Sequence, residues 1–175
     1  MKLCIDRTWD GAPLPAAEVA TIRLSAEVEG LVVDVMAPFF GDPAPAGLPG
    51  PTWALWEHEV VELFVLGADD RYLELELGPF GHHLLLTLHG RRNIVEKLLP
   101  VEVVTTRLST HWTATARLPS GLIPPGPHRV NATAIRGQGA ARRYAVAEPM
   151  PGPQPDFHRL EAFRPVVLPT ALRRR

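Results

Sequence analysis

Trp56-Glu57-His58-Glu59-Val60-Val61-Glu62-Leu63-Phe64-Val65-Leu66 is followed, after the polar loop Gly67-Ala68-Asp69-Asp70-Arg71, by Tyr72-Leu73-Glu74-Leu75-Glu76-Leu77. Both runs alternate with period two, and the loop has the glycine and aspartates of a hairpin connection. They therefore read as paired antiparallel strands. Placing Leu66 opposite Tyr72 sets Val61, Leu63 and Val65 against Leu77, Leu75 and Leu73 on one face, which is core. The other face then carries Glu62 opposite Glu76, with Glu74 beside Phe64, and like charges across a strand pair are destabilising unless something screens them. Two readings stay open. Either this face points to water and its charges are solvated, or it is a ligand or cation site.

Working outward, 175 residues fit one domain, and a hydrophobic fraction of 46% is ample for one substantial core. A formal net charge of -1 gives no reason to expect nucleic acid or an anionic membrane as partner. Arg91-Arg92 and Arg142-Arg143 are local basic runs, and residues 169–175, ending in three arginines, are expected to form a flexible basic tail. Cys4 is alone, which excludes an internal disulfide and four-cysteine zinc sites. It sits in an amphipathic first strand, where a buried, inert thiol is expected. The N-terminus breaks into charge before a signal-peptide stretch forms, and no apolar run approaches the roughly 20 residues of a membrane-spanning helix, so a cytoplasmic location is expected.

Nineteen prolines and fourteen glycines between short β-rich runs point to an all-β antiparallel sandwich of about ten strands. Candidate strands are 2–6, 20–26, 31–37, 59–66, 72–78, 83–89, 101–107, 111–118, 128–136, 142–147 and 164–168. Residues 41–52 and 149–155 hold too many prolines for a hydrogen-bonded ladder and read as surface loops. In 112–118, Trp112, Ala114, Ala116 and Leu118 share one face, a half-buried strand. Pro79-Phe80-Gly81-His82 can return the chain so that Leu84, Leu86 and Leu88 join the leucine face and His83, Thr87 and His89 join the glutamates.

The polar face then holds Glu62, Glu74, Glu76, His83, Thr87 and His89 around Phe64 and Tyr72, with Arg91, Arg92 and Asn93 just past its edge. Carboxylate, imidazole and guanidinium groups can hydrogen-bond a polyhydroxylated ligand while a ring stacks on it; they can equally neutralise one another. Trp53 and Trp56, beside the proline loop, suit a stacking platform. Zinc is disfavoured because His82 and His83 point to opposite faces of a strand. Calcium stays open, with Glu59, Glu62, Asp69 or Asp70 as oxygen donors, although no EF-hand loop is present. Ser25, Ser109 and Ser120 lie in no Gly-x-Ser-x-Gly elbow, and Gly137-Gln138-Gly139 lacks the βαβ context of a phosphate loop and reads as a hairpin turn.

Thr8-Trp9-Asp10-Gly11, Ala37-Pro38-Phe39-Phe40, Leu55 to Glu62, Gly90-Arg91-Arg92-Asn93 and Pro155 to Phe163 together resemble an uncharacterised family of animals and bacteria. That family in turn resembles family 9 carbohydrate-binding modules and DOMON-like sandwiches. The modules' Trp-x-x-Asp-x-Val-Glu-like, Tyr-x6-Pro-x-Gly-like and Phe-His-x-Pro-x-x-Phe-Gly-like segments correspond to Trp56–Glu62, Tyr72–Gly81 and Phe157–Phe163. Glu59 stands for the aspartate and Leu160 for the proline. Ala134 falls where an Asn-x-x-Arg pattern from Asn131 places arginine. The resemblance implies carbohydrate binding. Haem, found among DOMON relatives, is not indicated, because Met36 and Met150 offer no axial pairing with a histidine.

The sequence thus supports a non-catalytic module for a carbohydrate or related polar small molecule, with no cofactor. Its expected site comprises Glu59, Glu62, Tyr72, Glu74, Glu76, Arg91, Arg92, Asn93, Trp53 and Trp56. Asp156 is expected to cap a turn, and His158 to tie the last strand to the sheet or to touch the ligand. An enzyme acting on a sugar-like substrate through Glu62 and Glu76, or a protein-interaction domain using a patch near Trp53, are the alternatives.

Overall fold

The computed structural model describes residues 1–150 and 152–170; the rest of the expected basic tail, 171–175, lies outside them. Thirteen strands follow in chain order: β1 (Lys2–Ile5), β2 (Arg7–Thr8), β3 (Ala20–Glu27), β4 (Gly30–Pro38), β5 (Val60–Leu66), β6 (Arg71–Leu77), β7 (His83–His89), β8 (Ile94–Glu96), β9 (Glu102–Arg107), β10 (His111–Pro119), β11 (His128–Arg136), β12 (Arg143–Val146) and β13 (Arg164–Val166). All eleven expected strands are present; the two-residue β2 and three-residue β8 are additions too short to leave a pattern. One sheet runs β1-β3-β4-β10-β9 and the other β2-β12-β11-β5-β6-β7-β8, with β13 also on β11. The strand pairs are antiparallel, as expected for an all-β sandwich.

The sequence-derived register of β5 on β6 is the observed one: Leu66 faces Tyr72, Leu63 faces Leu75, and Glu62 faces Glu76. Leu63, Val65, Leu73 and Leu75 pack against Ile22, Leu24, Val33, Val35 and Trp112 of the opposite sheet. Fully burying each such side chain stabilises the fold by about 1.5–3 kcal/mol. Cys4 corrects its expectation. Leu3 and Ile5 take the inward positions of β1, and the thiol between them is exposed.

Strand β7 is the more consequential correction. Leu75 faces Leu85 and Leu77 faces His83, whereas Glu76 faces Leu84, Glu74 faces Leu86 and Tyr72 faces Leu88. Its alternation is therefore one residue out of step with expectation: Leu84, Leu86 and Leu88 join the glutamates, and His83 and Thr87 join the other face. The glutamate face becomes the floor of a second hydrophobic core, formed with Leu55, Phe64, Ile135, Val146, Met150, Phe157 and Phe163. The eight-stranded sheet is thus covered on both faces.

Two loops make the cover. The segment after β12 leaves strand β11 where Asn131 clamps it: Asn131 Nδ2 donates to Glu148 O at 3.0 Å and its Oδ1 accepts the Glu148 N–H at 3.0 Å. It crosses the glutamate face and returns to the same edge at β13, where Arg164 pairs with Val130. The proline-rich loop 41–52 runs over the sheet's far end. Despite its prolines it forms one parallel bridge, with the His83 N–H donating to Gly50 O at 3.0 Å and the Thr52 N–H to His83 O at 2.8 Å.

Candidate functional site

Across three neighbouring strands, the register places Thr133 of β11 beside Glu62 of β5, and Glu62 beside Glu76 of β6. Because Glu74 lies two residues from Glu76, all three carboxylates share one face. That face is covered, so the solvated reading fails: Glu62, Glu74 and Glu76 are 1%, 4% and 0% exposed. One carboxylate oxygen from each lies within 4.8 Å of the other two. Glu62 accepts the Thr133 hydroxyl, while Glu74 Oε2 has no donor and Glu76 has none beyond the Trp56 backbone N–H.

Burial disfavours charge on these groups. It pushes Glu62 up to about 7, against the Thr133 hydroxyl and the Arg142 guanidinium, which favour the carboxylate. Glu74 and Glu76 are raised well above the ordinary range, by burial first and by the Glu62 charge second.

A cavity of about 520 Å³ opens on this floor, within the range of roughly 300–1,000 Å³ that small-molecule sites occupy. Glu62 and Glu74 reach it from below; Trp56, Tyr144 and Phe157 give it aromatic walls, and Arg92 and Arg142 give it positive rims. Glu76 sits behind the other two. Trp56 stacks edge-on against Trp53 at 5.1 Å, and Lys97 Nζ lies 4.7 Å from the Trp53 ring. Trp53 is a partly exposed buttress outside the cavity.

On the opposite rim, Asp156 accepts Arg91 and, at 2.9 Å, Arg92 Nη2. Desolvation works against its charge, but the two guanidiniums prevail and hold its carboxyl at about 2. Its Oδ1 also accepts the His158 N–H at 3.2 Å, which is the turn cap expected of it. The Tyr72 hydroxyl accepts the Arg92 N–H at 3.1 Å and lies 2.8 Å from His158 Nδ1. When the phenol gives its proton to Nδ1, the imidazole proton rests on Nε2, 3.9 Å from Glu74 Oε2. Burial, with Arg92 next, holds His158 down at about 4, so the ring is neutral at pH 7 and does not balance Glu74.

The expected residues therefore divide. Glu62, Glu74, Arg92, Trp56, Asp156 and His158 line the cavity; Glu76 and Tyr72 support it from beneath. Arg91 reaches it only through Asp156, and Asn93 forms the β7–β8 turn, donating from Nδ2 to His89 O at 3.1 Å. Glu59 lies elsewhere: its oxygens accept the Phe40 and Asp42 N–H groups at 3.1 and 3.2 Å, pinning the start of the proline loop. Asp69 pairs with Arg71 in the exposed hairpin, so it does not converge with Glu62 on a calcium ion.

Arg142 and Tyr144 are among the lining residues that sequence reasoning passed over. Gly137, at φ +75°, turns the chain after β11, where an added Cβ would meet Ala141 O at 2.4 Å. The returning Arg142 donates to Trp56 O, to Glu57 O at 2.9 Å and to the Tyr144 hydroxyl at 3.2 Å. It fixes two aromatic walls at once. The basic pair Arg142-Arg143 behind a glycine turn was the available signal.

No family model matches the chain. A structure described as a "putative carbohydrate-binding protein" from Bacteroides uniformis superposes with a TM-score of 0.69 at 17% identity, covering 83% of this chain and 76% of that one; it shows the shared sandwich fold. A family 9 carbohydrate-binding module from Caldicellulosiruptor kristjanssonii, in complex with cellotriose, has a TM-score of 0.49 at 17% identity over 74% of this chain and 65% of its own. Much nearer in sequence are UPF0462 protein C4orf33 of Homo sapiens, 43% identical over 94% of this chain and 86% of its own, and its homologue in Rattus norvegicus, 44% identical over 98% and 90%. With end-to-end identity at that level, the chain belongs to the UPF0462 (C4orf33) family.

Proposed function

We propose that the chain is a binding module that holds a carbohydrate or related polar small molecule in the cavity above Glu62 and Glu74 and performs no chemistry on it. The observation that carries this reading is the pairing of aromatic walls, Trp56, Tyr144 and Phe157, with the buried carboxyl groups of Glu62 and Glu74, of which Glu74 Oε2 lacks a hydrogen-bond partner. A sugar presents an apolar ring face to the first and hydroxyl donors to the second. The Bacteroides protein of the same fold, described as a "putative carbohydrate-binding protein", makes sugars the first class to test.

The test is a thermal-shift panel of mono- and oligosaccharides, followed by calorimetric titration of any hit. Ligand at 100 times its dissociation constant stabilises the native state by about 2.7 kcal/mol, a rise of roughly 5–10 °C for a chain of this size. Trp56→Ala and Arg92→Ala should each weaken the hit at least tenfold. A hit that both folded variants bind unchanged places the ligand elsewhere.

One observation favours a second reading. Glu62, held near 7 beside a second carboxyl in a cavity, has the proton affinity of a general acid. Turnover of any sugar-like substrate, abolished by Glu62→Gln, would make the chain an enzyme.

A further inference from the structure

We infer that Glu62, Glu74 and Glu76 together bind one divalent cation of calcium's size at the floor of the cavity. The inference stands apart from the sugar reading, because the metal alone is its probe.

Geometry is the first ground. Three oxygens lying within 4.8 Å of one another are close enough to converge on a single ion. Magnesium dehydrates reluctantly and usually keeps several waters beside one or two carboxylates, so a buried site of three carboxylates suits calcium better. The donors are all oxygen, which selects hard cations over zinc or copper. Carboxylates that bind through one or two oxygens can supply much of calcium's six to eight ligands. Glu62 and Glu74 border the cavity, so the remaining positions open toward it.

The second ground is independent of spacing. Glu76 is wholly buried, and the Trp56 backbone N–H is the one donor that favours its charge, with no side chain bonded to either oxygen; Glu74 Oε2 receives no hydrogen bond. Native proteins rarely leave buried carboxyl oxygens unmet. The neighbouring guanidiniums favour these charges only from a distance: Arg92 acts on Glu74 and Arg142 on Glu62, but Arg91 and Arg92 bond Asp156, and Arg142 bonds the carbonyls of Trp56 and Glu57. His158 turns a neutral ring toward Glu74. Leu84, Leu86 and Phe64 complete an apolar surround, in which uncompensated charges cost several kcal/mol. A divalent ion meets the unmet oxygens and the charge together; shared protons are the competing answer.

The experiment uses the whole chain, stripped with a chelator and titrated with CaCl2 at pH 7.5 without sugar. Equilibrium dialysis with elemental analysis should find one calcium per chain, and saturation should raise Tm by at least 5 °C, with a smaller shift for MgCl2. Glu76→Gln and Glu74→Gln should each lower calcium affinity at least tenfold, whereas Glu102→Gln on the exposed edge strand should not. Should the buried variants fail to fold, crystals of the unaltered chain soaked in MnCl2 should show an anomalous peak between the three carboxylates. No calcium bound at 10 mM, binding unchanged by Glu76→Gln, or a peak elsewhere overturns the inference. A silent sugar panel alongside bound calcium would overturn only the ligand reading.

Discussion

Glu62→Gln isolates the electrostatic cost of the buried floor. In the chelator-treated protein Glu62 is held at about 7, against 4.5 for a free glutamate. At about 1.4 kcal/mol per tenfold change in proton affinity, the difference corresponds to roughly 3 kcal/mol. Because the folded-state value is raised, the contribution is fully present below pH 4.5 and is lost as pH rises through 7. Wild-type profiles mask this loss. His158, depressed to about 4, has the opposite sign and adds stability as pH rises from 4 to about 6.5, and burial lowers His82 and His83 in the same sense. Both trends remain in the variant, so the difference between the two proteins cancels the histidines, and removing the Glu62 charge also eases ionisation of Glu74 and Glu76, which acts in the same direction. Glutamine keeps an oxygen to accept the Thr133 hydroxyl and nearly the same volume. Urea denaturation from pH 4.5 to 8 should show Glu62→Gln gaining about 3 kcal/mol on the wild type, equivalent to about 6–12 °C in Tm. A difference that stays flat within about 0.5 kcal/mol would mean that Glu62 is solvated or neutralised in solution, and the buried floor would be wrong.

Asp156→Asn should destabilise the protein by about 1–2 kcal/mol at pH 7, a value reduced for the solvent exposure of its arginine partners. Since the Asp156 carboxyl is depressed to about 2 from 3.8, its stabilisation is present above pH 3.8 and fades as pH falls through 2; an equal loss at pH 7 and pH 2.5 would refute the ion-pair origin. Tyr72→Phe leaves the Arg92 N–H and His158 Nδ1 without their hydroxyl partner and should cost about 1–3 kcal/mol by chemical denaturation. Leu75→Ala, at the centre of the inter-sheet core and wholly buried, should cost about 2–5 kcal/mol; a loss below 1 kcal/mol would contradict the register. Arg142→Ala should weaken any ligand that also depends on Trp56, because the Arg142 guanidinium holds the Trp56 and Glu57 carbonyls. Unchanged affinity in the folded variant would remove Arg142 from the site.

The β5–β6 pairing was legible because a short polar hairpin fixes its register and because Leu-Glu-Leu-Glu admits one parity. Strand β7 was not, because Leu84-Leu85-Leu86 is apolar at both parities and the run alone does not say which leucine faces which sheet. That same doubling, with Phe64 and Leu66 on the glutamate side of β5, was the mark of a sheet covered on both faces. The cover itself left little trace: Met150, Phe157 and Phe163 are isolated apolar residues in proline-rich and polar surroundings. Glu62, Glu74 and Arg92 were placed in the site by cross-strand charge opposition and proximity. Glu59 entered the site with the Trp56–Glu62 segment, and a place in that segment does not tell a carboxylate that caps backbone amides from one that faces a cavity.

Strand β11 holds both ends of the segment that roofs the cavity. Ala147 and Glu148 are tied to Ala132 and Asn131, and Arg164 is paired with Val130, so the roof begins and ends within a few residues on one edge. A loop anchored in this way is free to change length. Closing one twice as long costs only about 0.6 kcal/mol more, provided that its apolar residues still meet the glutamate face as Met150, Phe157 and Phe163 do. The fold thus separates a fixed acidic floor from an exchangeable ceiling, and transplanting residues 149–163 between family members is a route to altering what fits in the space without rebuilding the sheet.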